Sequence, residues 1–460
     1  MAEKSLQILS FTGTVFADIS DLLQEFSFIN PSFLPKFDIL PNVLDLLCQK
    51  YIPVLLDLLS IVYMLSLGSA MFSVAWSQRK YNVLSYGAVG NGIVDDTMAF
   101  MKAWNDTCKD SRRPVMVVPM GKTFLVYPVT LFGPCNSSNL IVMILGTIIA
   151  PDHPNVWNGR FHGTWLAFRY VNDLTVSGNG VGVLDGRGHR WWEISCRYNK
   201  SKDCNILSPT IISFEMCKNV NLRRISTVRS GGGHIAVFGC ENVRFSILNL
   251  QSPGKSPNTD GIHISHSNFV HIHKSVIGSG DDCISMLDRS YNVNITNINC
   301  GPGHGISIGS LGSDGTKVDV QNITIRNVNF YKTTNGARIK TWQEGRGRVR
   351  NVEFSNINLT DVKNPIIIDQ HYGEPKNAPP KKTKNGVHIT EVRYSGFVGT
   401  SMTDVAINFN CSENVPCTDI SLENIRLAKS GKSRKKVSAS CNNAHGFAKG
   451  VVVPASCLVY

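Results

Sequence analysis

NVNLRRIST, beginning at Asn219, decides the fold because the chain repeats it. NVRFSILNL follows from Asn242, NFVHIHKSV from Asn268, NVNITNINC from Asn292, NITIRNVNF from Asn322 and NVEFSNINL from Asn351. The first residues of these phrases are 23, 26, 24, 30 and 29 positions apart. Within each phrase apolar and polar residues alternate, as in Ile323, Ile325, Val328 and Phe330, which is strand periodicity. Gly and Asn separate the phrases, as turns require. Hairpins would need two-residue turns at shorter spacing. No helical run of ten or more residues lies between the phrases, which argues against strand–helix–strand units. A repeat of two to three dozen residues made of short strands fits a solenoid, in which no coil buries its apolar face alone and stacking makes one core. The expected fold is therefore all-β, a right-handed single-stranded parallel β-helix. The recurring Asn residues are expected to stack at its turns, bonding to one another's backbone.

Composition bounds the rest. The 460 residues are 42% hydrophobic and 17% charged, which excludes general disorder. Lys+Arg exceed Asp+Glu by 46 − 34 = 12, an excess that favours an anionic partner: nucleic acid, an anionic membrane or an acidic polymer. Of the 13 cysteines, Cys48 lies in an atypical N-terminal region and the rest run from Cys108 to Cys457. An even set spread over a large domain suits an oxidising compartment, and the spacing lacks the paired CxxC of zinc sites. Sequons at Asn105, Asn136, Asn199, Asn294, Asn322, Asn358 and Asn410 agree with secretion.

Residues 1–80 form a separate Leu/Phe-rich extension ahead of a catalytic body over 81–460. The extension ends in an uncharged run, residues 58–76, that reads as a signal-peptide core or a membrane span. Arg79 and Lys80 after the run would leave the body on the cytoplasmic side of a span, against the cysteines and sequons. The favoured reading is a cleaved signal starting at Met64, with Ser73 and Ala75 before the cut. Residues 1–63 would then be a gene-model artefact, and anchoring through 58–76 is the less favoured alternative.

A β-helix also fixes distances. Positions one coil apart lie about 4.8 Å apart across a parallel ladder, so a functional cluster recurs at one period. Asp260 lies in SPNTDGIHI, Asp281 and Asp282 in GSGDDCIS, His304 in CGPGHGISIGSLG, and Arg338 and Lys340 in ARIKTW. Each step is about one coil. Together they predict a stripe of three carboxylates, an imidazole and two cations in one groove. Asp beside Gly is ordinarily a turn residue, and a lone His between glycines is ordinarily a loop residue. Adjacent Asp residues, however, are costly unless used, and the conjunction at coil spacing favours function. Such a stripe suits glycoside hydrolysis: one protonated carboxyl donates to the leaving oxygen and an ionised one activates water or attacks carbon. Crowding raises at least one carboxyl pKa, and His304 sets which Asp keeps a proton. Arg338 and Lys340 offer charge-assisted bonds to a substrate carboxylate. The expected partner is an acidic polysaccharide.

At these residues the chain resembles the polygalacturonases, glycoside hydrolase family 28, and in particular their plant branch. The motifs are Asn258-Thr259-Asp260, Gly280-Asp281-Asp282, Gly303-His304-Gly305 and Arg338-Ile339-Lys340. The likeness runs from YNVLSYGAVGNG at Tyr81 to CNNAHGFAKGVVVPASCL near the end, about 380 residues. It implies secretion to the cell wall and hydrolysis of α-1,4-galacturonan in pectin, with inversion and without a cofactor or metal. It implies Asp281 as general acid, Asp260 and Asp282 as holders of the water, and His304 as assistant to the acid. It implies substrate contacts from Asn258, Arg338, Lys340 and Tyr372. Close stacking of the carboxyls would by itself suit retention; the resemblance implies inversion. The chain departs from the family where Gly373 replaces a Cys after Tyr372 and KNAPPKKTKNG lacks its partner, so a looser, more basic loop is expected there. Ser230-Gly231-Gly232-Gly233-His234 replaces a bulkier segment, Asn91 stands in the usual GDG, and Glu344 replaces a common Gly. None of these is expected to touch the motifs.

Other signals have plainer readings. His263, His266, His271 and His273 would need a carboxylate or Cys to make a metal site, and a solvated strand face is expected instead. The Gly231–Gly233 run lacks the ending of a phosphate loop. GKSRKK, from Gly431, lacks the interleaved aromatics of nucleic-acid binding, so no nucleic acid is expected. Trp191 and Trp192 are expected to pack at a coil edge, and the protein to be a monomer. The rivals are a Ca²⁺-dependent pectate lyase and a non-catalytic, pectin-binding β-helix. The latter should have lost a motif Asp, and none is lost.

Overall fold

The computed structural model describes residues 60, 78–157, 163–198, 204, 206–373, 384–431 and 435–460. The run 58–76, with Ser73 and Ala75 before the expected cut, the sequon at Asn199 and the basic loop 374–383 lie essentially outside them. Among the described residues no helix is long and apolar enough to cross a membrane.

From Lys80 onward the chain is wound into two sheets, of 19 and 11 strands. Successive coils pair in parallel, so the molecule is a parallel β-helix. In the smaller sheet five successive coils supply β1 (Ile262–Ser265), β2 (Ile284–Met286), β3 (Ile306–Leu311), β4 (Asn335–Thr341) and β5 (Asn364–Asp369). Their register stacks Ile262, Ile284, Ile306, Ala337 and Ile366 in one column and Ile264, Met286, Ile308, Ile339 and Ile368 in another. All ten side chains are fully buried, each large one favouring the fold by about 1.5–3 kcal/mol over exposure. The residues between them, His263, Ser285, Ser307 and Arg338, form a third column in register. Because side chains alternate faces, a slip of one residue would exchange these columns. The core therefore dictates what stands in the groove.

The repeated asparagines stack, but not as expected. Their partners are other side chains rather than backbone. The Asn322 amide donates to Asn292 Oδ1 at 2.9 Å and its own Oδ1 accepts from Asn351 at 2.7 Å. Asn327 and Asn356 repeat the arrangement, as do Asn329 and Asn358. Asn292, Asn322 and Asn351 have φ of 52°, 59° and 52°. In that left-handed region Asn is tolerated, and its free amide reaches the next coil.

Helix α1 (Thr97–Lys109) covers the N-terminal end of the coils. It buries Ala99, Phe100, Ala103 and Trp104, with Phe100 edge-on to Phe124 at 5.6 Å and Trp104 to Phe168 at 5.4 Å. A solenoid needs such a cap because its terminal coil has no neighbour. Disulfides join Cys108–Cys135, Cys196–Cys204, Cys283–Cys300, Cys411–Cys417 and Cys441–Cys457. Cys217 and Cys240 remain buried free thiols, so the even set is not wholly bridged. Trp191 packs edge-on against Trp157 at 5.3 Å, as expected.

Candidate active site

The turns that enter β1, β2 and β3 carry Asp260, Asp281–Asp282 and His304. Backbone bonds stack these turns: Gly261 N donates to Asp282 O at 2.9 Å, and His304 N to Asp281 O at 2.7 Å. Glycine is required at Gly280, where a Cβ would lie 1.9 Å from Ser256 O in the coil below. Thr259, between Asn258 and Asp260, is fully buried, and its hydroxyl accepts from Gly280 N at 2.9 Å. The two Asp motifs are thus pinned to each other by a threonine.

Each carboxylate has its own partners. Asp281 Oδ1 lies 2.9 Å from His304 Nδ1 and accepts Asp282 N at 2.9 Å. Asp282 is only 1% exposed. Its Oδ1 accepts from Ser307 at 2.8 Å and Arg338 Nη2 at 2.7 Å, and its Oδ2 from Lys340 Nζ at 2.9 Å. Asp260 Oδ2 accepts from Ser285 at 2.9 Å. The expected stripe is therefore assembled, with one difference. Arg338 and Lys340, read as anchors for a substrate carboxylate, both bond Asp282.

Electrostatics separates the three. Burial raises Asp260, the charges of Asp281 and Asp282 raise it further, and its carboxyl is pushed up to about 8. Burial also raises Asp281, but the hydrogen bond and charge of His304, then Lys340 and Arg197, outweigh it and hold Asp281 below the usual carboxylate value. One raised carboxyl among crowded ones was expected, and it is Asp260.

Tyr372 follows β5 and stands beside the cluster, its ring centroid 5.1 Å from Lys340 Nζ and edge-on to Trp342 at 5.6 Å. Gly373, in place of the resemblance's Cys, has φ +81°, and a Cβ there would fall 2.3 Å from the Trp342 ring. The indole occupies the space a longer side chain would need. Asn258 is exposed in a left-handed turn at φ 54°, and the side-chain bonds that hold the three carboxylates come from Ser285, His304, Ser307, Arg338 and Lys340. Two expectations are corrected. His263 is no solvated face: its Nδ1 lies 3.0 Å from Ser285 Oγ, which donates to Asp260. The Gly-rich segment does reach a motif, since His234 N donates to Asp260 O at 2.7 Å.

The sequence profile of the family described as glycosyl hydrolases family 28 matches residues 108–457. The chain belongs to that family. This family 28 chain is 44% identical to polygalacturonase-2 of Solanum lycopersicum over 365 residues, 79% of its own length and 78% of the relative's. It is 41% identical to a polygalacturonase of Malus domestica over 376 residues, 82% and 79% of the two chains. It is a glycoside hydrolase. Its fold is similar to that of endo-xylogalacturonan hydrolase from Aspergillus tubingensis, with TM-score 0.67 and 23% identity over 81% of this chain and all of that one.

The family 28 enzyme also recruits residues that the sequence reading passed over. Ser285 and Ser307 each bond a carboxylate, and Arg338 Nε donates to Ser307 at 2.8 Å. Both serines belong to the outward column between Ile-rich core columns, so register was the signal that would have found them. Arg197 Nη1 lies 3.6 Å from Asp281 Oδ2, on the loop closed by Cys196–Cys204, outside the repeat. Asp281, Asp282 and His304 bring ligand atoms within 4.8 Å of one another. Two cations already bond Asp282, and His304 Nδ1 lies against Asp281.

Proposed function

We propose that the enzyme is a secreted polygalacturonase of the cell wall that cleaves α-1,4-galacturonosidic bonds of pectin by single displacement with inversion. The observation that carries this reading is the contrast between two neighbouring carboxylates: Asp281 is tied to an imidazole, and Asp282 to two cations. The first pair is suited to move a proton. The second is suited to stay charged and to hold water.

Asp281 delivers a proton to the glycosidic oxygen as the bond from that oxygen to C1 breaks. Water held by Asp260 and Asp282 attacks C1 from the opposite face and gives up a proton to a carboxylate. Bound galacturonate brings negative charge to Arg338, Lys340 and Arg197. That weakens their hold on the carboxylates and raises Asp281 toward the protonated form the step needs. A carboxylate nucleophile would suit the short separations, but Asp282 has both oxygens engaged by Ser307, Arg338 and Lys340, which disfavours attack on carbon. Five disulfides favour an oxidising compartment.

The raised pKa of Asp260 favours a second assignment in the same reaction, with Asp260 as proton donor and Asp281 as base. Purified enzyme on polygalacturonate tests the function. Reducing ends should appear without an unsaturated product absorbing in the ultraviolet, and a chelator should not slow their release. The first product seen by NMR should be the β-anomer. Unsaturated products would establish elimination, binding without cleavage would establish a pectin-binding module, and an α-anomer would overturn inversion.

A further inference from the structure

We propose that Arg197 is a specificity-determining residue: it recognises the free carboxylate of the sugar at the scissile bond, and its transfer from Asp281 to that carboxylate lets the acid take up a proton. The inference rests on the polygalacturonase reading and on Asp281 as proton donor, and it deepens both. The chain sets Arg197 between two anchors. Cys196 before it is joined to Cys204, and the Tyr198 hydroxyl after it donates to Lys255 O at 2.5 Å, in the segment that leads to Asp260. Further back, Trp192 Nε1 donates to Ser230 O at 2.8 Å. These ties hold the arginine at the cluster, with Nη1 3.6 Å from Asp281 Oδ2. At that distance the contact is an ion pair without a hydrogen bond.

The contact identifies the working oxygen. Asp281 Oδ1 is engaged by His304 Nδ1 and by Asp282 N, each at 2.9 Å. Oδ2 is therefore the oxygen that gives a proton to the leaving group, and Arg197 stands against it. A guanidinium has donors only, so it opposes a proton there and must move before the acid can work. The groups facing Asp281 are Asp260 and Asp282 from the adjoining turns, His304 from the turn before β3, Lys340 from β4, and Arg197. Lys340 and Arg338 are 8% and 13% exposed and bond Asp282, itself 1% exposed. Drawing either away would leave a buried charge uncompensated. Arg197 is 46% exposed, and an exposed pair is weak. A uronate carboxylate offers the guanidinium a stronger, two-oxygen partner. A methyl ester carries no charge and cannot draw it off.

The test compares wild type with Arg197→Gln and Arg197→Lys. The alkaline limb of kcat/KM on polygalacturonate reports the acid of the free enzyme. In Arg197→Gln it should lie at higher pH, because a cation that opposes protonation is gone. In Arg197→Lys, which keeps the charge, it should stay near that of wild type. Competition against polygalacturonate cleavage measures recognition. Arg197→Gln should bind trigalacturonate about tenfold more weakly than wild type does, the weight of one charge-assisted bond, and should bind its methyl ester equally well. A merely structural role would weaken both ligands alike and leave the limb in place. An unmoved limb, an unchanged affinity for the acid, or an equal loss for acid and ester overturns the role of Arg197 while wild-type cleavage leaves the function standing. A wild type that cleaves no polygalacturonate removes the function itself, and the role of Arg197 with it.

Discussion

Asp260 and Asp281 belong to one cluster yet shift in opposite directions, and this makes their roles separable. Asp281→Asn is expected to lower kcat on polygalacturonate at least ~10²-fold, the weight of general acid catalysis. The same variant should keep most activity on an aryl galacturonide, whose leaving group needs no proton. Asp260→Asn should be slow on both substrates. The reverse pattern assigns proton delivery to Asp260. Stability offers an independent reading. Burial, then the charges of Asp281 and Asp282, pushes Asp260 up to about 8, whereas an unfolded Asp titrates near ~3.9. Between these values the folded protein holds a proton that the unfolded chain has released, so stability falls as pH rises through that window. Asp281, held low, works the other way: its contribution is present above the unfolded value and is lost in acid. Asp260→Asn removes only the first effect. At pH 8 that variant should exceed wild type by at least ~1.4 kcal/mol, with the gap closing toward about pH 4. Urea midpoints across that range measure it, and a gap independent of pH would assign the difference to packing.

At the scale of elements, alternation and the spacing of Asn-led phrases made the coils legible, and the coil period placed Asp260, Asp281, Asp282, His304, Arg338 and Lys340 together. The period did not supply register. Ser285 and Ser307 look like any polar residue on a strand until they are seen in a column with His263 and Arg338. His263 shows the same gap, since alternation gives its face and not its neighbour. Arg197 was beyond reach for another reason: it sits on a disulfide-closed loop that no repeat governs. The asparagine stacks follow from register as well, and they are testable. Asn322 both donates to Asn292 and accepts from Asn351, at φ 59°. Asn322→Ala loses two bonds and places a Cβ-bearing residue without a compensating amide in the left-handed region, so it should cost about 1–3 kcal/mol. Asn322→Gly loses the same bonds without the backbone penalty and should cost less in urea unfolding. Equal costs would mean that the amide stack alone, and not the bend, carries the stabilisation.

At the scale of the whole molecule, charge is distributed to suit a polyanion. The excess of 12 positive charges understates it, because residues 1–77 contain three basic and seven acidic side chains. The β-helical body therefore carries the whole positive excess. Much of that charge is exposed, and salt screens exposed charge over a Debye length of about 10 Å at 0.1 M. The pairs of Asp282 with Arg338 and Lys340 are buried or nearly so, where screening is weak. Long-range attraction and local catalysis should thus respond differently to salt. Raising NaCl from about 0.05 to 0.5 M is expected to lower kcat/KM for polygalacturonate several-fold, through KM, as steering by the body's field is lost. The kcat should hold, because these buried pairs keep their geometry and their charge. An aryl galacturonide bears one charge rather than many, and its kcat/KM should change far less. A parallel fall in kcat would mean that salt reaches the buried pairs. An unchanged KM for the polymer would mean that the body's field contributes nothing to capture, leaving the local cations to hold the substrate.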